Sequence, residues 1–400
     1  MRALVLFPLL SVGCAKSIIP LYEAARDDAL REPGAVPAKW EPDATLSLSY
    51  DALDGVIGEI LATEGTLSEK IDAGVVELRP KLEVQSLAMS QSKRCDDCLS
   101  VDVTLDGSLR WFNSLLDGKT DIKVGLDLDA KFEAVQEGQS WVVTVQPQHV
   151  REVEVEIGKI GGIVGDLVTP VQDWLDAQLV ANIPPHTLTE FAAADLPVRS
   201  MRLAPTKTLD VELLVGTGDA LKSRDRTVPS EDWRLQLSSA TLVQLARRAA
   251  FEEGEVGYDV VVDPTSLSMD ADSFELGLRL WRIKGKGWWR DYVIHGSVET
   301  KPRRVVLTPT DVVEGDKSPG AVFVDPIAAL GEGVILRTIE DAVATGLPST
   351  RDDKIGDLRT TVTLTSVNGS GQDVSLGGTL EVAAPAAKKK KKKSKKSRGK

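Results

Sequence analysis

Leu46-Ser47-Leu48-Ser49-Tyr50-Asp51-Ala52-Leu53 and Leu235-Gln236-Leu237-Ser238-Ser239-Ala240-Thr241-Leu242 both read Leu-x-Leu-Ser-x-x-x-Leu. Each copy places two alternating apolar residues before a Ser suited to cap a helix, and an amphipathic run follows. Leu and Ser are common, so the match gains weight only from what comes after it. The same order of elements follows both copies, and self-similarity at long period frames the whole fold.

After the first copy the pattern predicts a helix over 51–61, with Leu53, Val56, Ile57, Ile60 and Leu61 on one stripe. Strands are expected over 75–89, 99–112, 121–135 and 141–157, with turns at Gly118-Lys119 and Glu137-Gly138-Gln139. Val124, Leu126, Leu128 and Phe132 alternate with Asp127, Asp129 and Lys131, which indicates an antiparallel sheet with one wet face. Ile160, Ile163, Val164, Leu167, Val168, Val171, Trp174, Leu175 and Leu179 then predict a long closing helix. It is expected to break or kink at Thr169-Pro170 and to stop at Ile183-Pro184-Pro185. Leu203 and 209–215 read as final strands. The second half repeats this with a helix over 240–251 and strands near 256–262, 274–283, 289–298 and 304–308. Its closing helix starts at Asp325-Pro326, carries Leu330 and Val334, and ends at Leu347-Pro348, before strands at 361–364 and 374–382.

The expected organisation is a signal over 1–14, a tether over 15–43 with one short helix near 21–30, and a first domain over 44–217. A linker over 218–231, a second domain over 232–382 and a disordered polybasic tail over 383–400 complete it. The 400 residues suit two domains of ordinary size. The formal charge of −12 hides an asymmetry, because Lys388–Lys400 supplies ten basic residues and no acidic one. The remainder holds 38 basic against 60 acidic residues, and an acidic body argues against nucleic acid as a partner. The tail suits anionic lipid, or equally the acidic body of its own chain.

Arg2 followed by the apolar run Ala3–Leu10 and then Ser11-Val12-Gly13-Cys14 resembles a bacterial lipoprotein signal, in which a small residue precedes the Cys that is acylated. Leu10 lies one place earlier than that pattern prefers, and the apolar run is too short to span a bilayer. The resemblance implies a lipid anchor on Cys14 and, with Ala15 following, an outer-membrane protein facing the periplasm. A buried first strand with an incidental Cys is the plainer alternative. Cys95 and Cys98 lie between two strand-like runs, where a thioredoxin-like pair would need a following helix and a zinc site two further ligands. A local disulfide is expected.

Gly158, Gly161, Gly162 and Gly165 fall in the first closing helix, and Gly331 and Gly333 in the second. Gly in a helix costs up to ~1 kcal/mol relative to Ala, so the cluster asks for a reason. Close packing is one reason, and room for an acyl chain is the other. Taken with the element order, the chain resembles the tubular lipid-binding (TULIP) superfamily, which contains bactericidal/permeability-increasing protein. The resemblance covers about Ala44–Val382, rests on element order without a diagnostic motif, and lacks the disulfide of the vertebrate members. It implies an α+β fold class: two tandem pseudo-repeats, each a curved antiparallel sheet wrapped on a long amphipathic helix. It also implies binding, and transfer as an extension of it, of a lipid or other apolar small molecule without covalent chemistry. The expected apolar tube would be lined by Ile57, Ile60, Leu61, Gly161, Val164, Gly165, Val168, Trp174, Leu330 and Val334. A structural envelope lipoprotein with fully packed cores is the alternative.

No nucleophile motif accompanies His149, His186 or His295, and no phosphate loop, dinucleotide fingerprint or zinc-protease motif occurs. The chain therefore reads as a non-enzyme with no cofactor, expected as a monomer. Asp270-Ala271-Asp272-Ser273-Phe274-Glu275 lacks the glycine of a calcium loop and reads as an acidic turn. Trp281–Tyr292 is the densest aromatic and basic cluster, with a hairpin tip at Gly285 and Gly287. Lys284, Lys286, Trp288, Trp289 and Arg290 are candidates for headgroup contact, against the plainer alternative of tryptophans packed inward or across strands.

Overall fold

The structure, a computed structural model, describes residues 18–383 apart from 73–76, 113–116, 158–168, 174–185, 193–197, 217–218, 223–230, 319–346 and a few isolated or paired positions. The described chain forms three antiparallel sheets and three helices: α1 (Ile19–Ala29), α2 (Tyr50–Glu64) and α3 (Ser239–Glu253). The long sheet holds β2 (Leu67–Ser68), β3 (Ile71–Asp72), β4 (Glu77–Gln91), β5 (Cys98–Phe112), β6 (Asp117–Glu137), β7 (Ser140–Ile157) and β8 (His186–Ala192). The central sheet holds β1 (Ala44–Leu48), β9 (Ser200–Pro205), β10 (Leu209–Leu214), β11 (Trp233–Ser238), β17 (Thr350–Ile355), β18 (Leu358–Gly369) and β19 (Asp373–Ala383). The third sheet holds β12 (Val260–Met269), β13 (Ser273–Arg282), β14 (Trp288–Lys301), β15 (Arg304–Lys317) and β16 (Leu347–Pro348).

This corrects the expected fold class. The described residues are mostly strand, and no long amphipathic helix among them is wrapped by a sheet; the helices span 11, 15 and 15 residues. Extended structure also runs further than the alternation suggested. β15 continues to Lys317 and β12 to Met269, through segments holding Val312, Val313 and Leu267 that suit a pleated surface. The two expected closing helices lie outside the described residues, except that Thr169 and 171–173 are helical.

The central sheet has the order β17-β18-β19-β11-β1-β10-β9, so β1 of the first half lies directly against β11 of the second. Leu46 is the register partner of Leu235, Ala44 of Leu237 and Leu48 of Trp233. The two copies of the opening motif are thus antiparallel neighbours about a local twofold through the Leu46–Leu235 pair. The bonds flanking them are also equivalent: Ser49 N donates to Asp232 O at 2.9 Å, and Ser238 N to Asp43 O at 2.9 Å. Each Ser then caps the helix it precedes, Ser49 Oγ accepting from Ala52 N at 3.2 Å and Ser238 Oγ from Thr241 N at 3.1 Å. Each Asp ties in a further strand end, Asp43 accepting from Val215 N at 2.7 Å and Asp232 from Leu380 N at 2.8 Å.

The third sheet buries both faces. Leu278, Ile294, Val298 and Val305 pack with Met269, Phe274 and, from the central sheet, Val367 and Val374. On the other face Val261 and Trp281 pack with Phe251 of α3 and with Ile18 and Ala29 at the two ends of α1. The short helix expected near 21–30 within the tether is therefore α1, and it is docked on the third sheet and α3. Tyr22 lies 5.8 Å from the Phe251 ring and 5.9 Å from that of Trp281, and Arg247 reaches Asp28 at 3.1 Å. Tyr22 against Phe251 and Asp28 against Arg247 make α1 antiparallel to α3, and Arg248 reaches Glu32, just past α1, at 3.0 Å.

Candidate functional site

The long sheet offers one extensive apolar face. Leu78 and Leu82 of β4, Leu105 and Leu109 of β5, and Ile122, Val124 and Leu126 of β6 form one buried cluster, joined by Val171. Met89 of β4, Leu99 and Val101 of β5, and Leu128, Ala130 and Phe132 of β6 form a second, against which Tyr50, Leu53 and Ile57 of α2 pack. Val103 packs against both, so the two clusters are one continuous face. From Leu99 to Leu109 along β5 it extends ~33 Å at the rise of an antiparallel strand. Irregular pairing at Val84/Ser86, Asp127/Leu128 and Asp129/Ala130 bends the strands.

The opposite face is polar. Asp102, Asp127 and Glu152 lie in one row across β5, β6 and β7. Arg151 pairs with Asp127, and its Nε lies 3.8 Å from the buried Asp129. Burial raises the Asp127 carboxyl above its usual range, Arg151 opposes that rise, and Asp102 adds to it. At the α2 end, Tyr50 Oη donates to Thr206 O at 2.7 Å, tying the helix to the β9–β10 turn. Burial, with Asp210 adding to it, pushes that phenol up to about 12.

Of the residues expected to line a tube, Ile57 is half-buried against the second cluster, and Ile60 and Leu61 belong to α2. Gly161, Val164, Gly165, Val168, Trp174, Leu330 and Val334 lie outside the described residues, as does Cys14. The strand residues of the apolar face were missing from that expectation. The signal that finds them is the period-two alternation of Val124, Leu126, Leu128 and Phe132. Cys95 and Cys98 are joined in a disulfide at the β4–β5 turn, with Cα atoms 5.2 Å apart.

At the β13–β14 turn, Gly285 and Gly287 have φ of 71° and 59°, a left-handed backbone that glycine adopts without penalty. Lys284 is exposed and bonded to Asp259 at 2.6 Å and Glu255 at 3.4 Å, and these carboxylates hold its ammonium above its usual range. Trp288 is 3% and Arg290 5% exposed, which corrects their expected role at a headgroup: both face the interior. Trp289 points the other way, with the Arg279 guanidinium 4.2 Å from its ring centre and bonded to Asp291 at 2.6 and 2.8 Å. Lys286 lies outside the described residues. His149 is exposed, and His295 lies 3.7 Å from Glu275 on a partly exposed surface.

A cavity of about 500 Å³ opens between α1, α3 and β12, lined by Asp28, Arg31, Gln244, Arg247, Thr265 and Ser266 among others. Its wall mixes ion pairs and hydroxyls with the apolar side chains of Ala29, Val243 and Leu267. Among the described residues no group of three His, Cys, Asp or Glu is placed to hold a metal ion, and no helix is long and apolar enough to cross a membrane.

No protein-family model matches the chain, and no curated protein does. Among solved structures it is similar to lipopolysaccharide binding protein, at 10% identity and a TM-score of 0.36 over 85% of this chain and 99% of that one. It is similar to P47 of Clostridium botulinum E1, at 8% identity and a TM-score of 0.40 over 86% and 100%. P47 from Clostridium botulinum A2 is similar at 9% identity and a TM-score of 0.36, over 84% and 97%.

Proposed function

We propose that this chain is a lipid-anchored protein of the cell envelope that binds a lipid or other apolar molecule along the apolar face of β4, β5 and β6, without covalent chemistry. The carrying observation is the extent of that face. Its ~33 Å is about twice the ~15 Å that one leaflet's hydrocarbon occupies, so an acyl chain can lie along it with every methylene against side chains. Desolvating such a chain gains ~0.8 kcal/mol per methylene, which is binding energy without any catalytic group. Lipopolysaccharide is named as the ligand of one structure to which the chain is similar. The anchor is Cys14.

Near-complete burial of Leu78, Leu82, Leu109, Ile122 and Val124 favours a second reading, a packed core in a structural envelope protein. Native mass spectrometry of the chain lacking its first 16 residues and its polybasic tail separates the two. Co-purified lipid, or uptake of fluorescent fatty acid after delipidation, is the expected result; an empty protein that takes up nothing rejects binding. Val124→Phe sharpens the comparison. Filling ligand space lowers uptake with little change in Tm, whereas overpacking a full core lowers stability by ~1–3 kcal/mol.

A further inference from the structure

We infer that one end of the third sheet, formed by the start of α1, residues 254–256 and 259, and residues 283–285 and 287 of the β13–β14 turn, is the surface this protein lays on a lipid bilayer. The inference rests on Cys14 being the acylated residue. Ile18 is buried, and a Cβ on Gly287 would meet its Cγ1 at 2.7 Å, so the start of α1 is fixed at the β13–β14 turn. Four residues of chain reach at most ~14 Å, so an acyl group on Cys14 holds this end of the sheet at the membrane. No long tether intervenes, because α1 is locked to α3 and Trp281 along its length.

The same end carries exposed apolar side chains. Ile19 is 47%, Leu21 57% and Val256 54% exposed, three of the six large apolar residues exposed among the described ones. They belong together in space. Val256 follows Glu255, which meets Lys284 of the turn, and Ile19 follows Ile18, which packs under Gly287. Isolated exposed apolar residues are ordinary, but a group beside an anchoring point suits the boundary between headgroups and acyl chains. Lys284 bonds both Glu255 and Asp259 and offsets one of these two charges, so the excess here is a single carboxylate in a chain whose body is strongly acidic. The far end of the sheet, at Met269 and Phe274, packs on Val367 and Val374 of the central sheet. The long sheet joins that central sheet through Leu203 and through Gln91, whose amide donates to Pro205 O at 3.4 Å. The apolar face proposed for ligand is thereby held off the anchoring bilayer, with the third and central sheets as the spacer.

The test uses the full-length acylated protein in vesicles of phosphatidylethanolamine and phosphatidylglycerol. Leu21→Cys, Val256→Cys and Val135→Cys each add one free thiol, since Cys95 and Cys98 are bonded to each other, and all three sites are exposed. An environment-sensitive fluorophore at 21 or 256 is expected to shift to the blue and to be quenched by brominated lipid, while the label at 135 stays solvent-like. Mass spectrometry of the N-terminal peptide reports acylation of Cys14 independently. An acylated protein with no quenching at 21 and 256 overturns the membrane face and leaves the anchor standing. A protein without acyl chains overturns the anchor and, with it, this inference.

Discussion

Asp127 sits directly between Asp102 and Glu152 in the register of the long sheet, with Arg151 as the cation that holds the row together. Like charges directly opposite across strands are unfavourable by up to ~1 kcal/mol. The folded state therefore favours the neutral Asp127 carboxyl, whose pKa is raised from its ordinary 3.8 by burial first and by Asp102 as a further cause. A carboxyl raised in the fold contributes stability that is complete below 3.8 and lost as pH rises through the raised value. Asp102→Asn removes one neighbouring charge while keeping the size of the side chain. It is expected to stabilise the protein at pH 7 by ~0.2–1 kcal/mol, with the gain vanishing as the pH falls toward 3.8. Urea unfolding at both pH values checks this, and a destabilised variant at pH 7 would show that Asp102 serves the network as a needed partner.

At the scale of elements, sequence told the existence of strands better than the partners of helices. The period-two runs placed β4 to β7 within a few residues of their ends, because a sheet with one wet face writes its pattern directly into the chain. Helix α1 was legible as a short helix, but its docking was not. Arg26, Asp27, Asp28, Arg31 and Glu32 look like a solvated stretch, whereas Asp28 and Glu32 pair with Arg247 and Arg248 of α3, far along the chain. The adjacent Trp288 and Trp289 pose the same difficulty, since alternation requires one to face inward without saying which. A chain beginning at residue 33 tests the role of α1. Trp281, 1% exposed under α1, should become hydrated, so tryptophan emission should move to the red and the dye ANS should bind. Unchanged emission would mean that α3 alone covers Trp281.

At the scale of the whole molecule, the repeat seen in the sequence becomes an interface. The two motif copies meet as β1 and β11, and each half supplies part of one seven-stranded sheet: β1, β10 and β9 from the first, β11, β19, β18 and β17 from the second. Two independent domains on a flexible linker would each close their own sheet. Here, separating the halves within 223–230 leaves β1 and β11 as open edges with unpaired N–H and C=O groups, which template aggregation. The bonds Ser49 N to Asp232 O and Ser238 N to Asp43 O are lost at the same cut, and with them the fixed strand ends that lead into α2 and α3. Each half made alone is therefore expected to be insoluble or to self-associate through its exposed edge. The two made together as separate chains are expected to co-purify one to one and to regain the far-UV circular dichroism of the intact protein. Two halves that are each monomeric and cooperatively folded would show instead that the central sheet is an accessory contact between finished domains. The Leu46–Leu235 pair is the place to distinguish these outcomes, because Leu46→Asp would disrupt only the assembly that depends on the shared sheet.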